Sequence, residues 1–299
     1  MSKINVCLAC DNNYAKYAGV VIASVLANSK QEDELSFYLL DGGIEEEKKS
    51  EISSLKSIKD CRIEFIKIDE NMFEDYKSVQ THSYISLATY YRLKLSTLLP
   101  DVERIIYFDC DMIVNSSLAD LFYTDFSENI IAGVRDINRR MLKKNSSYIN
   151  AGMVVFDLKK IREQNIEEQF LTYTKENIEN INMGDQQIIN DVLKGRIKIV
   201  DDEWNVQSSN FTNRSSYTKH PKVIHYVARK KPWHFGSFSV HRNLYFKNLQ
   251  LTPWKLNGFK EKFYWYHLNQ IQSLINYVLY RPLFLFRPRF YEAIFKSLF

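Results

Sequence analysis

The chain has 299 residues and a net charge of +4, with 45% hydrophobic and 25% charged residues, a balance that excludes disordered and fibrous classes. Its length suits one large domain, or one domain with an appendage. No apolar run approaches the roughly 18 residues that a spanning helix needs, and the apolar stretch 4–9 is too short for a signal peptide, so a cytoplasmic protein is expected.

Residues 4–9 read as a short buried strand. A helix is expected from about Tyr17, with Val20, Val21, Ser24, Val25 and Asn28 on one side. Residues 35–40 form the next predicted strand, and Asp41-Gly42-Gly43 its turn. A charged helix at 45–58 precedes a strand at 62–68. Strand and helix alternating at this spacing predict an α/β fold with a mostly parallel, covered sheet. Ser83 is placed to cap a helix running to about Leu98, where Pro100 stops it. The strand 104–108 then ends in Asp109-Cys110-Asp111. Further strands are expected at 130–135, 152–157 and 197–200, and helices near 166–180 and 185–194. Cys7 and Cys10 have CxxC spacing, but within a strand-like run and with no second pair to complete a zinc site. They read as buried thiols, and no disulfide is assigned.

The chain changes character near residue 229. Residues 229–299 hold 12 Lys or Arg against two acids, Glu261 and Glu292, and 19 of the 42 aromatics. Ile271, Leu274, Ile275, Val278 and Leu279 fall at helical spacing, as do Phe290, Tyr291, Ile294, Phe295, Leu298 and Phe299. Arg281, Arg287 and Arg289 lie between them. The expected organisation is a main domain over 1–244 and a small helical, basic and aromatic appendage over 245–299. Such helices attach to anionic membrane surfaces, here the inner face of the cell membrane. Nucleic acid is not the expected partner, because no known binding module accompanies the charge.

Ligands of open α/β sheets bind beyond the carboxyl ends of the strands. Asp109 and Asp111 stand at such an end. Two carboxylates spaced two apart on extended backbone point the same way and share a hard cation. The plain alternative is a solvated turn. The apolar runs 105–108 and 112–114 favour the cation, because carboxylates within apolar surroundings are costly unless paired or metal-bound. His225 is a candidate third ligand and Lys231 a candidate phosphate contact, against the alternative of an ordinary basic loop.

Six ordered segments carry a family resemblance. They are residues 7–14 (CLACDNNY), 88–93 (ATYYRL), 107–111 (YFDCD), 150–152 (NAG), 184–187 (GDQQ) and 225–233, which begins His225-Tyr226 and ends Lys231-Pro232-Trp233. In them the chain resembles glycosyltransferase family 8 over about residues 3–236. This is a family of retaining sugar transferases that includes bacterial lipopolysaccharide galactosyl- and glucosyltransferases and glycogenin. The resemblance implies a GT-A, Rossmann-like fold and a hexosyltransferase. The donor it implies is UDP-glucose or UDP-galactose, the ion Mn(II) or else Mg(II). The acceptor it implies is a glycan, lipid-linked or otherwise at the cell surface, such as lipopolysaccharide or capsule.

Carried over by position, Asp109, Asp111 and His225 resemble the metal ligands. Ala9, Asp11 and Asn13 resemble the uridine and ribose contacts, and Arg92 a donor-sugar and phosphate contact. Asp136, Asn150, Ala151, Asp185 and Gln186 resemble the donor-sugar site, with Asp185 and Gln186 nearest the chemistry. Lys231 resembles the diphosphate clamp. Amide and carboxylate side chains suit sugar hydroxyls, which need both donors and acceptors. Gln186, a poor nucleophile, stands where a double displacement would need a carboxylate. A front-face transfer is therefore expected. Local alternatives are turn roles for Asn13 and Asp136, a surface ion pair for Arg92 and a helix cap for Asp185.

One departure is Ala228, where the family usually has glycine in the loop facing the diphosphate. If that residue needs φ > 0, alanine costs about 1 kcal/mol. Two rival functions remain at this level. One is a haloacid-dehalogenase-type phosphatase phosphorylated on Asp109. The other is a non-catalytic sugar-nucleotide binder.

Overall fold

The computed structural model describes residues 2–79, 86–209, 212–213, 220–227, 229–234, 237 and 239–258. Eleven strands occur among them: β1 (Ser2–Cys10), β2 (Asp33–Asp41), β3 (Arg62–Lys67), β4 (Arg104–Phe108), β5 (Met112–Val114), β6 (Ile131–Arg135), β7 (Ile149–Asp157), β8 (Ile197–Ile199), β9 (Val206–Ser209), β10 (Thr212–Asn213) and β11 (Val223–Tyr226). Seven form one sheet in the order β3-β2-β1-β4-β7-β6-β8. Its pairs are parallel except those that β7 makes with β4 and β6. The mostly parallel sheet expected from the alternating pattern is therefore present.

Both faces of the sheet are covered, which is why its strands are near-continuous apolar runs. Along β1, Ile4, Val6, Leu8 and Cys10 join one core with the helix Ala15–Asn28. Cys7 joins the opposite core with Tyr90, Tyr91 and Ile188. Cys7 and Cys10 thus face opposite sides of the sheet, and all four cysteines are free thiols.

The second sheet, in the order β10-β9-β11-β5, was not expected. β11 runs antiparallel to β5 and parallel to β9. The sequence marks residues 112–114 only as an apolar flank of the acidic pair. With three residues β5 carries no periodicity of its own, and its partner β11 lies over a hundred residues along the chain. Asp109-Cys110-Asp111 is consequently the joint where the chain leaves the large sheet for the small one.

The helix expected to start at Ser83 differs from the structure. A 3-10 helix spans Leu87–Lys94, followed by one α-turn, Leu95–Leu98. Ser83 itself lies outside the described residues. Ala88, Tyr90, Tyr91, Arg92 and Leu93 are all buried there, and burial so continuous matches no single face of an α-helix.

Past the sequence-read boundary at 244, the chain remains part of the body. The helix Arg242–Leu249 buries Tyr245, Phe246 and Leu249 with Leu256 against Val20, Ile113, Ile224 and Tyr226. Trp254 lies on Gly19, leaving no room for a Cβ there, and its Nε1 donates to Glu51 Oε2 at 2.9 Å. The helices anticipated around 271–279 and 290–299 lie outside the described residues. No helix among the described residues is long and apolar enough to cross a membrane.

Candidate active site

The acidic joint is pinned at both ends. Asp109 N donates to Gly152 O on β7 at 2.8 Å, and Tyr226 N on β11 donates to Asp111 O at 2.9 Å. Cys110, between them, donates its thiol to Ala9 O at 3.4 Å and so ties the joint to the end of β1. The two sheets thereby bring residues 9, 109–111, 150–152 and 225 to one place.

Asp109, Asp111 and His225 each offer one ligand atom, all within 4.8 Å of one another. His225 Nε2 lies 3.2 Å from Asp111 Oδ1 and 3.9 Å from Asp109 Oδ2. Asp111 Oδ2 is held by Lys231 Nζ at 2.5 Å, and the same ammonium donates to Tyr226 O at 2.8 Å. Among the described residues, buried Asp111 Oδ1 faces no donor but the His225 ring, a costly state for a carboxylate oxygen unless that ring is protonated or a cation completes it. Gly152 keeps the space open. A Cβ there would lie 2.7 Å from His225 Nδ1 and 3.0 Å from Asp109 Oδ2. Two carboxylate oxygens and one imidazole nitrogen fit a divalent ion such as Mn(II) or Mg(II). Burial alone would raise the Asp111 pKa. The charges of Lys231 and His225 overcome it and hold the carboxyl well below its ordinary value.

Arg92 stands behind this cluster, 3% exposed. Its Nη2 meets Asp109 Oδ1 at 2.6 Å, its Nε lies 3.1 Å from Asp185 Oδ2, and its Nη1 donates to Ala151 O at 2.5 Å. The guanidinium also lies 4.1 Å from the centre of the Tyr107 ring. Burial pushes the Asp185 carboxyl up to about 6, and Asp109 adds to that, while Arg92 opposes it.

Asp136, Asn150 and Gln186 form a hydrogen-bonded group beside the cluster. Asp136 Oδ2 accepts from Asn150 Nδ2 at 3.2 Å and from Gln186 Nε2 at 3.1 Å. Gln186 Oε1 accepts from Ala151 N at 3.1 Å and from Asn150 Nδ2 at 3.2 Å. Asn150 Oδ1 lies 3.0 Å from His225 Nδ1, which joins this group to the metal-ligand set.

Ten of the sequence-predicted residues thus meet in one connected arrangement: Arg92, Asp109, Asp111, Asp136, Asn150, Ala151, Asp185, Gln186, His225 and Lys231. The turn alternative for Asp136 holds as well, because its Oδ1 accepts from Asn138 N at 2.6 Å. Arg92 is no surface ion pair. Ala9 adjoins the joint. Asp11 and Asn13 stand on the loop after β1, with Asp11 Oδ1 taking the Tyr14 amide at 3.0 Å and Asn13 exposed. Ala228 lies outside the described residues. Sequence reasoning missed Asn205, whose Nδ2 donates to Asn150 Oδ1 at 3.0 Å. It also passed over the buried Gln207, which accepts from Ile137 N at 3.4 Å and donates to Arg135 O at 3.0 Å. Each is a single amide residue near or in a four-residue strand, with no spacing signal to mark it.

A mostly parallel sheet, helices on both faces and an acidic joint into a small second sheet define a GT-A glycosyltransferase. The solved galactosyltransferase LgtC, in complex with donor and acceptor sugar analogs, superposes at a TM-score of 0.75 with 25% identity, covering 87% of this chain and 99% of that one. The chain belongs to glycosyltransferase family 8: the family described as "Glycosyl transferase family 8" matches residues 5–236. It is similar to General stress protein A of Bacillus subtilis, 29% identical over 83% of this chain and 93% of that protein. It is also similar to lipopolysaccharide 1,3-galactosyltransferase of Salmonella typhimurium, 26% identical over 84% of this chain and 79% of that protein. Lipopolysaccharide 1,2-glucosyltransferase of Escherichia coli is likewise 26% identical, over 86% of this chain and 81% of its own length. The chain is thus a hexosyltransferase. The phosphatase alternative falls with the family assignment.

Proposed function

We propose that this chain is a retaining, divalent-metal-dependent transferase that moves glucose or galactose from a UDP-sugar to a glycan acceptor of the cell surface. The observation that carries the reading is the open Asp111 Oδ1. It faces His225 Nε2 at 3.2 Å while Lys231 holds the other carboxylate oxygen. When bound, a divalent ion there supplies Lewis-acid stabilisation of a departing diphosphate. Mn(II) is the ion we favour: it takes carboxylate oxygens as Mg(II) does, and Mg(II), which keeps to oxygen ligands in strict octahedral geometry, is the less suited to a site with an imidazole.

The chain's own residues supply the rest. Lys231 keeps a positive charge at the edge of the ion site and turns toward phosphate oxygens when a donor enters. Asp136, Asn150 and Gln186 present a fixed set of donors and acceptors to the sugar hydroxyls, which rejects analogues lacking them. Ala9 near the end of β1, with Asp11 and Asn13 on the loop that follows, receives the nucleoside. Gln186 cannot form a stable glycosyl ester and is committed to Ala151, Asn150 and Asp136. We therefore favour a front-face transfer in which the leaving phosphate oxygen takes the acceptor's proton. Trapping a glycosyl adduct on a carboxylate overturns that step.

A thermal-shift panel of nucleotide sugars with and without Mn(II) tests the main reading. Stabilisation by one UDP-sugar, only when Mn(II) is present, is expected. At a donor concentration 100 times Kd the stabilisation is about 2.7 kcal/mol. Equal shifts with and without metal would refute metal dependence.

Membrane attachment through residues 259–299 is part of the same proposal, since those residues keep the basic and aromatic composition while 245–258 pack into the body. The full chain is expected to co-sediment with anionic vesicles and a chain ending at 258 to remain in solution. Equal sedimentation by both removes the attachment.

A further inference from the structure

Residues 135–148 hold five Lys or Arg (Arg135, Arg139, Arg140, Lys143 and Lys144) against one acid, Asp136. That acid is buried and already bonded to Asn150 and Gln186. The stretch joins β6 to β7. The two strands are antiparallel, with Arg135 opposite Ile149, so the chain leaves the large sheet and returns to it at the same end. Both feet of this excursion stand in the group that the proposed function assigns to the donor sugar. Asp136 N donates to Tyr148 O at 3.0 Å, and Asn150 Nδ2 donates to Asp136 Oδ2 at 3.2 Å. Arg135 Nε donates to Ser146 O at 3.0 Å and braces the return.

Inside the excursion lies the helix Arg139–Lys144, capped by Asn138, whose side chain accepts from Arg140 N at 3.1 Å. Arg140, Lys143 and Lys144 are spaced i, i+3 and i+4, so they share one face of it. All three are exposed, whereas Met141 and Leu142 are half-buried. Among the described residues the three cations form no ion pair. Like charges at this spacing destabilise a helix, and a cation in its first turn, as Arg140 is, opposes the helix dipole. The helix Glu46–Ser53 shows the ordinary remedy. Its Lys48 pairs with Glu51 at 3.0 Å, and its Lys49 with Glu46 and Asp41, each at 2.8 Å. An anionic ligand laid on the 140–143–144 face supplies the same remedy from outside. The helix is about 9 Å long. It starts three residues past Asp136, so its cations border the space beside the donor sugar. A lipid surface fits this face less well, because residues 137–147 contain no aromatic side chain to enter the interface.

Resting on the transferase function proposed above, we infer that the acceptor is an anionic glycan, and that Arg140, Lys143 and Lys144 bind its negative groups next to the sugar that receives the hexose. Two triple variants of the full chain test it. One is Arg140→Gln with Lys143→Gln and Lys144→Gln. The other removes the same charge from exposed lysines away from the excursion, as Lys3→Gln with Lys56→Gln and Lys194→Gln. The first measurement is calorimetric titration, in the presence of UDP and Mn(II), with a heparin-derived hexasaccharide and with neutral maltohexaose. The wild type is expected to bind the anionic probe in preference to the neutral one, and more weakly as salt rises. The helix variant is expected to lose about tenfold in that affinity and the control variant almost none. Wild-type affinity in the helix variant overturns the inference, and so does an equal loss in both variants, which would report net charge alone. The second measurement is transfer of labelled hexose from its UDP donor to glycans extracted from the cells that make the protein. Label is expected in the fraction that an anion exchanger retains. In the helix variant KM for that fraction is expected to rise about tenfold, with kcat and the donor KM unchanged. Label confined to the neutral fraction overturns the inference and leaves the proposed function standing. A helix variant that loses binding to anionic vesicles but keeps the hexasaccharide assigns the face to a membrane and overturns the inference as well. Absence of label from every fraction counts against the proposed function instead, and the hexasaccharide titration, which needs no turnover, still judges the basic face.

Discussion

Replacing Arg92 by methionine lowers stability by about 3–5 kcal/mol, the usual cost of stripping one partner from a buried ion pair. The guanidinium is the counter-charge of two carboxylates, Asp109 at 2.6 Å and Asp185 at 3.1 Å, and it satisfies Ala151 O. Methionine fills much of the space against Tyr107 but leaves both acids and the carbonyl without their donor. For a domain of this size the melting temperature falls by on the order of 10 °C. The loss also becomes pH-dependent. Without Arg92 the Asp185 carboxyl rises above its present value of about 6, so the folded variant binds more protons than the unfolded chain. Stability then falls as pH rises, and the variant is more stable near pH 5 than near pH 8. Adding Asp185→Asn removes one orphaned charge and recovers part of the loss. Denaturant titrations of the four proteins of that cycle measure it, and a variant as stable as wild type at both pH values shows that Arg92 balances nothing.

Asp111→Asn is expected to lower transfer at least about 10³-fold, because on the proposed function the ion that this carboxylate would help to hold supplies several kcal/mol of transition-state stabilisation and each 1.36 kcal/mol is tenfold. The change is isosteric, so packing is nearly untouched. What disappears is the charge that Lys231 grips at 2.5 Å and the open oxygen facing His225. Metal affinity by calorimetry and initial rates with saturating Mn(II) report the two losses separately. The carboxylate also contributes to the metal-free fold. Its pKa is depressed, so its contribution is fully present above pH ~4 and is lost as pH falls further. The acid limb of the stability curve is therefore expected to be shallower in Asp111→Asn. Wild-type rates and metal affinity in this variant would remove the joint from the mechanism altogether.

The parts of the fold legible in the sequence are those whose partners lie close along the chain or whose runs are long. β1, β2 and β4 are each five or more residues of mostly buried side chains, β3 is an edge strand of six with four half-buried, and their alternation with helices is enough to place them in a parallel sheet. β7 begins three residues before the expected 152–157, because Asn150, which faces the site, interrupts its apolar pattern. The small sheet was illegible for a physical reason: strands of three or four residues gain their stability from one another and from the core beneath, not from local propensity. The 3-10 helix of Leu87–Lys94 was read as an α-helix because its aromatic and aliphatic residues fit either period. Tertiary burial of Arg92 against two acids decided the outcome. Among site residues, those in dispersed motifs were visible, whereas Asn205 declares itself only through the atoms that surround it.

The contact of Trp254 with Gly19 bears on how the enzyme is made. A ribosome delivers the first helix early and the indole that covers it only after nearly the whole catalytic body has been synthesised. The three candidate metal ligands arrive in two instalments, Asp109 and Asp111 first and His225 with its strand much later, so a nascent chain presents the acidic joint without its imidazole. Native pairings with such long sequence separation form slowly. During translation the uncovered face of the helix Ala15–Asn28 is apolar surface of the kind that chaperones engage. Completion of the active site is thus a late event in the life of the polypeptide, tied to the return of its C-terminal segment to its beginning.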